Sequence, residues 1–64
     1  MNITINGTQQ SFSGTLLSEL IEQQQPEQPF AIAVNTQFVP KSKYQHTVLN
    51  ENDSIEIVRP VVGG

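Results

Sequence analysis

Residues 1–6 alternate strictly, with Met1, Ile3 and Ile5 on one side of an extended chain and Asn2, Thr4 and Asn6 on the other, the period of a half-buried strand. Asn6-Gly7 follows at once. Both residues tolerate positive φ, so the pair fits the two-residue turn of a hairpin, and Thr8 to Phe12 is the returning strand. Gln9, Gln10 and Ser11 make that strand polar, as befits a sheet edge. Gly14 then breaks the strand. Leu16, Leu17, Leu20 and Ile21 recur at helical spacing on one face, with Glu19 and Glu22 turned to water and the Thr15 hydroxyl placed to cap the first turn. Pro26 disfavours helical geometry at Gln25, which ends the helix near residues 23–25, and a polar loop runs on to Pro29.

The second half repeats the logic of the first. Phe30, Ile32 and Val34 share one side of a strand, with Ala31 and Ala33 opposite, a pattern for a strand covered on one face and closely approached on the other. Asn35-Thr36 turns the chain into a short strand, Gln37–Val39, which stops at Pro40 because proline has no N–H to continue a ladder. Residues 41–45 read as one helical turn and Asn50 to Asp53 as a polar turn. Ser54 to Arg59 alternates again, Ile55 and Ile57 inward, Glu56 and Val58 outward. Strand, strand, helix, strand, short strand, strand on so short a chain predicts an α+β domain, a mixed sheet of four to five strands with one helix packed across one face: the β-grasp, or ubiquitin-like, arrangement. The first and last strands then lie parallel and adjacent, with Ile3, Ile5, Ile55 and Ile57 meeting Leu17, Leu20 and Ile21.

Length and composition narrow the function classes. Sixty-four residues allow one domain, spanning 1–64, and a domain of this size buries only roughly 60% of the surface of its unfolded chain. With no cysteine there is no disulfide, no thiolate metal site and no persulfide carrier chemistry. The net charge of -3 leaves only Lys41, Lys43 and Arg59 to meet phosphates, which argues against nucleic-acid binding. Apolar runs are a few residues long, and the N-terminus lacks the regions of a signal peptide; a soluble, cytoplasmic protein without membrane association is expected. No Gly-rich phosphate loop and no acid/base or nucleophilic constellation stands in the sequence, so the domain is read as a non-enzyme with no bound cofactor. His46, the single histidine, has no companion ligands for a metal site. Asp53 is best explained as a turn residue that accepts from local backbone amides, and Lys41 and Lys43 as solvated charges.

The chemistry concentrates at the end of the chain, Pro60-Val61-Val62-Gly63-Gly64, read as a flexible tail over residues 60–64. Glycine usage averages about 7%, so a closing pair arises by chance in roughly 0.5% of chains. A frayed end is the plain alternative. Glycines without side chains can thread a narrow channel into another protein and adopt backbone angles closed to other residues. An α-carboxylate is ionised at neutral pH, with a pKa of about 3.3–3.7, and is a poor electrophile until it is activated as an acyl phosphate anhydride. Met1 at the start and the lack of a tag point to Gly64 as the natural end.

On these features the chain resembles the ubiquitin-like sulfur carriers of the ThiS family of thiamin biosynthesis, and the likeness covers essentially its whole length. Asn6-Gly7, Thr15-Leu16-Leu17-Ser18-Glu19-Leu20-Ile21, Ala33-Val34-Asn35, Val39-Pro40, Asp53-Ser54-Ile55-Glu56-Ile57-Val58 and Gly63-Gly64 carry it. Asn52 stands where the family often has glycine, and asparagine tolerates the left-handed conformation that the turn needs. Pro60 is a second departure, which removes one backbone donor and stiffens the base of the tail.

The resemblance implies that an E1-like adenylyltransferase of the ThiF type uses ATP to adenylate Gly64, that a cysteine desulfurase system supplies sulfur, and that the resulting thiocarboxylate serves thiazole synthase of the ThiG type. Gly63 and Val62 would then thread the partner's active site. Phe38 and Val58, outward-facing on the last strands, form with Val61 a candidate partner-binding surface, or else finish a thin core. Three rivals stand beside this reading: the sulfur carrier of molybdopterin synthesis, a protein modifier that forms isopeptide bonds, and a small non-covalent interaction domain.

Overall fold

The computed structural model describes residues 1–59, and the segment 60–64 lies outside the described residues. The chain forms β1 (Asn2–Ile5), β2 (Thr8–Ser11), α1 (Leu17–Gln24), β3 (Ala31–Val34), β4 (Gln37–Val39), a 3-10 helix (Lys41–His46) and β5 (Ser54–Val58). The five strands make one sheet in the order β2-β1-β5-β3-β4, with β1 and β5 parallel and the other neighbours antiparallel. This is the predicted β-grasp arrangement. The polar β2 is an edge, as its sequence demands, and its inner residue Gln10 accepts a hydrogen bond from Gln24 Nε2 of the helix at 3.3 Å.

Both hairpins turn on two left-handed residues. Asn6 and Gly7 have φ of 49° and 83°, the mirror-image turn whose twist matches that of the flanking strands. Asn35 and Thr36 adopt the same pair of signs, φ 50° and 72°, although a β-branched threonine is strained there. Asn52 has φ 70°, so asparagine does supply the left-handed residue that glycine would give.

One face of the sheet is buried under α1. Ile3, Ile5, Ile32 and Ile55 meet Leu17 and Leu20 in a core completed by Phe12 and Leu49, with Ile21, Val34, Val39 and Ile57 half-buried around it. Phe12 closes the end of the sheet beyond β2, and its ring lies over Gly14. A Cβ on Gly14 would stand 2.7 Å from that ring, and its φ of +156° is one that side chains rarely permit, so the glycine makes room as well as breaking the strand. Burying eight such side chains, at about 1.5–3 kcal/mol each, supplies the drive against chain entropy.

Three local expectations need correction. The helix is not capped by the Thr15 hydroxyl. Leu16 occupies the N-cap position, and the Glu19 carboxylate reaches back to accept from the backbone N–H of Leu16 at 2.8 Å and of Thr15 at 2.9 Å. Those two donors favour the ionised carboxylate and hold Glu19 below its ordinary range, so Glu19 serves the helix start instead of simply facing water. Phe30 precedes β3 instead of opening it, and stacks on Tyr44 with ring centroids 6.4 Å apart. The segment 41–46 is a 3-10 helix, one residue longer than the predicted turn.

Candidate functional site

β5 lies at the centre of the sheet and aims its end at residues 60–64, so whatever holds β5 holds the tail's base. Two asparagine side chains grip it from opposite neighbours. Asn6, just past the end of β1, accepts from the Ile57 N–H through Oδ1 at 2.8 Å and donates through Nδ2 to the Ile57 carbonyl at 3.3 Å. Asn35, just past the end of β3, accepts from the Ser54 N–H at 3.0 Å and donates to Asp53 Oδ1 at 2.9 Å. Because β1 runs parallel to β5 and β3 antiparallel, the two turns reach opposite ends of the same strand.

Asp53 is the one charged residue buried among the described residues. Its second oxygen accepts from the Asn50 N–H at 2.8 Å, the turn role predicted for it, and its two oxygens are thereby engaged. The carboxylate is a brace, not an acid or base open to a substrate. His46 lies exposed at the end of the 3-10 helix, and no group of three His, Cys, Asp or Glu side chains gathers as a metal site among the described residues. No helix among them is long and apolar enough to cross a membrane.

The predicted surface residues come to one face. Register pairs Phe38 with Ala33 and Val58 with Ala31, so all four stand on the side of the sheet away from α1, with Glu56 beside Ala33. Phe38 is 75% exposed and Val58 48% exposed. They do not finish a core; the small alanines between them form the floor of an open apolar patch with one carboxylate in it. Val61, Val62, Gly63 and Gly64, the other expected site residues, lie outside the described residues. Arg59, the last residue before them, pairs with Glu27 at 2.9 Å on the surface.

Sequence reasoning missed the two asparagine grips and the Phe30–Tyr44 stack. The left-handed turn residues were visible, but nothing in spacing alone says that an asparagine in such a turn will use its amide on a strand outside its own hairpin.

Comparison with known proteins decides the family, because the ThiS family model matches residues 3–64, nearly the whole chain and both closing glycines. The chain belongs to the ThiS family. The family that its residues resembled is thereby the one to which it belongs. The crystal structure of the thiamine biosynthesis protein ThiS from Geobacter metallireducens superposes with a TM-score of 0.86 over the full length of both chains, at 22% identity. An NMR solution structure of a thiamine biosynthesis protein from Geobacter metallireducens gives a TM-score of 0.78 at 22% identity, over all of this chain and 88% of that one. At such identities the likeness speaks to the fold, and it places the ThiS chain firmly in the β-grasp class. A thiazole synthase from Paramagnetospirillum magneticum is 33% identical over 66 residues, covering 100% of this chain and 20% of the relative, so the ThiS chain spans about a fifth of that protein's length.

Proposed function

We propose that the Gly64 carboxylate is the working group of this ThiS-family chain, adenylated by an E1-like enzyme, converted to a thiocarboxylate, and spent by thiazole synthase. The observation that carries the reading is the family match running through residue 64 on a domain whose central strand, β5, is held by Asn35 at its start and by Asn6 near its end. In the first step a carboxylate oxygen attacks the α-phosphorus of ATP and pyrophosphate leaves. The terminal sulfur of a persulfide, delivered through a cysteine desulfurase system, then attacks the acyl carbon and AMP departs; a thiol next cleaves the S–S bond of the resulting acyl disulfide, releasing the thiocarboxylate and itself leaving as a disulfide. The enzymes supply the catalysis; the ThiS chain supplies an unhindered acyl group on a rigid base, with Gly63 and Val62 in the channel.

The outer patch of Phe38 and Val58, to which Val61 is assigned from the sequence, is the surface on which these enzymes dock, since exposed apolar side chains on the sheet that carries β5 are what a partner reaching Gly64 must cover. Thiazole synthase is favoured as the acceptor over the molybdopterin enzyme because a protein bearing that name contains a stretch 33% identical to this whole chain. The deciding measurement is intact mass after incubation with the adenylating enzyme, ATP and a sulfur donor. One oxygen replaced by sulfur at Gly64 is expected. Deletion of Gly64 should abolish the change with the melting curve unaltered, and thiazole formation by the truncated chain would overturn the proposal.

A further inference from the structure

Beside the tail's base is a second feature that the patch does not include. A cleft of about 210 Å³ is lined by Gln28, Pro29, Phe30, Lys41 and Tyr44. For scale, about 150 Å³ holds a benzene molecule, so the cleft takes one or two partner side chains. Its position follows from register. Ala31 pairs with Val58 and Ile32 with Val39, so Phe30, Arg59 and the 3-10 helix that starts at Lys41 all fall at the end of the sheet where β5 leads into the tail. The Arg59–Glu27 pair ties the tail's base to the same loop that walls the cleft.

The walls and the rim differ in kind. Phe30 and Tyr44 stack nearly parallel, 9° between planes, and Pro29 adds a rigid apolar edge. Partial burial also pushes the Tyr44 phenol up, so it stays neutral. Lys41 is the one charged residue in the lining, and the only ion pair among the described residues is Arg59–Glu27, which leaves no described carboxylate within 4.0 Å of Lys41. An apolar slot with one free ammonium at its mouth selects an occupant that is apolar along its body and anionic at one side. A phosphate would find a single lysine at the start of a 3-10 helix of six residues, too few donors for a phosphate site.

We propose that this cleft is a second docking point for the adenylating enzyme, receiving from it an acidic side chain carried next to an aliphatic or aromatic one. It rests on the sulfur-carrier reading above, because an enzyme that takes the tail into its active site necessarily covers this end of the sheet. On a chain of net charge -3, whose whole would be repelled by an acidic surface, Lys41 is the cation that stands against an apolar slot, so an acidic side chain with an apolar neighbour is oriented there.

The test is steady-state adenylation by the enzyme with ATP, reading KM for the carrier and kcat separately, for the native chain, Lys41→Glu, Lys43→Glu and Tyr44→Ala. Lys41→Glu should raise KM about tenfold at low salt with kcat unchanged, the difference shrinking as salt is added, whereas Lys43→Glu, outside the cleft, should stay within about twofold. Tyr44→Ala, confirmed folded by its melting curve, should raise KM at low and high salt alike. Equal effects of Lys41→Glu and Lys43→Glu, or native KM for Lys41→Glu, would overturn the docking point whatever Tyr44→Ala does. So would shifts of the Tyr44 and Lys41 amide resonances on adding ATP or AMP without the enzyme, which would make the cleft a nucleotide site. If the native chain undergoes neither adenylation nor mass gain, the carrier reading itself falls; if it does and Lys41→Glu behaves as native, only the docking point falls.

Discussion

The two ends of β5 are built on opposite principles. At its start, Ser54 and Asp53 sit in a closed set of hydrogen bonds: Asn35 N–H to the Ser54 carbonyl at 2.7 Å, Ser54 N–H to Asn35 Oδ1, Asn35 Nδ2 and Asn50 N–H to the Asp53 carboxylate, and Thr4 N–H to the Asp53 carbonyl at 2.9 Å. At its finish, beyond the Asn6 grip on Ile57, the described residues add the ladder pairing of Val58 with Ala31 and a surface ion pair between Arg59 and Glu27. One end closes its polar groups into a network, and the other, among the described residues, finishes on an exposed ion pair. On the function proposed above, rigidity belongs at the end of the central strand away from Gly64.

Breaking the closed end is the severest change. Asp53→Ala removes the acceptor for Asn35 Nδ2 and the Asn50 N–H together, and hydrogen bonds to a charged group are worth about 1.5–3 kcal/mol each, so a loss of about 3 kcal/mol is expected. A domain this small holds on the order of 3–5 kcal/mol in all, and the variant should therefore keep only about 0–2 kcal/mol, its midpoint moved close to zero denaturant in a urea titration followed by circular dichroism. Asp53→Asn retains one carbonyl acceptor but puts an NH₂ against a donor, and should fall between. A native denaturation midpoint for Asp53→Ala would show that the contrast between the two ends has no energetic content.

How much of this was legible in the residues divides along the same line. The alternation of Ile3 and Ile5, and of Ile55 and Ile57, announced inward strand faces, and Leu17 and Leu20 announced the helix that covers them, because periodicity reports burial directly. Exposure of Phe38 and Val58 followed from the same alternation. Phe12 escaped because it is a lone apolar residue in a polar stretch, and Leu49 because it follows the exposed Val48 outside any strand or helix, so no period says which of the two is buried; Phe12 and Leu49 are both core. The Thr15 cap failed because the helix starts one residue later: Leu16 holds the N-cap position, the Leu17 N–H goes to the Thr47 carbonyl at 2.9 Å, and the Glu19 carboxylate reaches back to the amides of Thr15 and Leu16. The Lys41 cleft was illegible for another reason: it is assembled from a loop, a strand flank and a 3-10 helix, and depends on sheet order, which no local pattern encodes.

The closed end also carries a flaw that can be repaired. Thr36, beside Asn35, holds φ at 72°, where a β-branched side chain crowds its own backbone. Thr36→Gly relieves that strain but adds freedom to the unfolded chain, and the first effect exceeds the second by about 0.5–1 kcal/mol. A rise of about 4 °C in the melting temperature is expected. Because Thr36 is remote from the tail, sulfur transfer should be unchanged; a drop in melting temperature would mean that the threonine hydroxyl has a partner worth more than the strain.

The smallest effect is expected at the open end. Arg59 and Glu27 approach to 2.9 Å, but their side chains are 57% and 77% exposed, and a pair so solvated exchanges water for a partner with little net gain and pays entropy to hold two long side chains. Arg59→Ala and Glu27→Ala should each change stability by less than about 0.5 kcal/mol, and a double-mutant cycle should find a coupling of about the same size that vanishes as salt rises. The comparison sharpens in what these variants do next. If the ion pair merely decorates the surface, neither alters transfer. If it holds the tail's base against the 26–29 loop, Glu27→Ala should change KM for the carrier while the melting curve stays native, which a purely structural contact would not do. A coupling above about 2 kcal/mol would place Arg59 with the rigid half of the strand and erase the difference between its two ends.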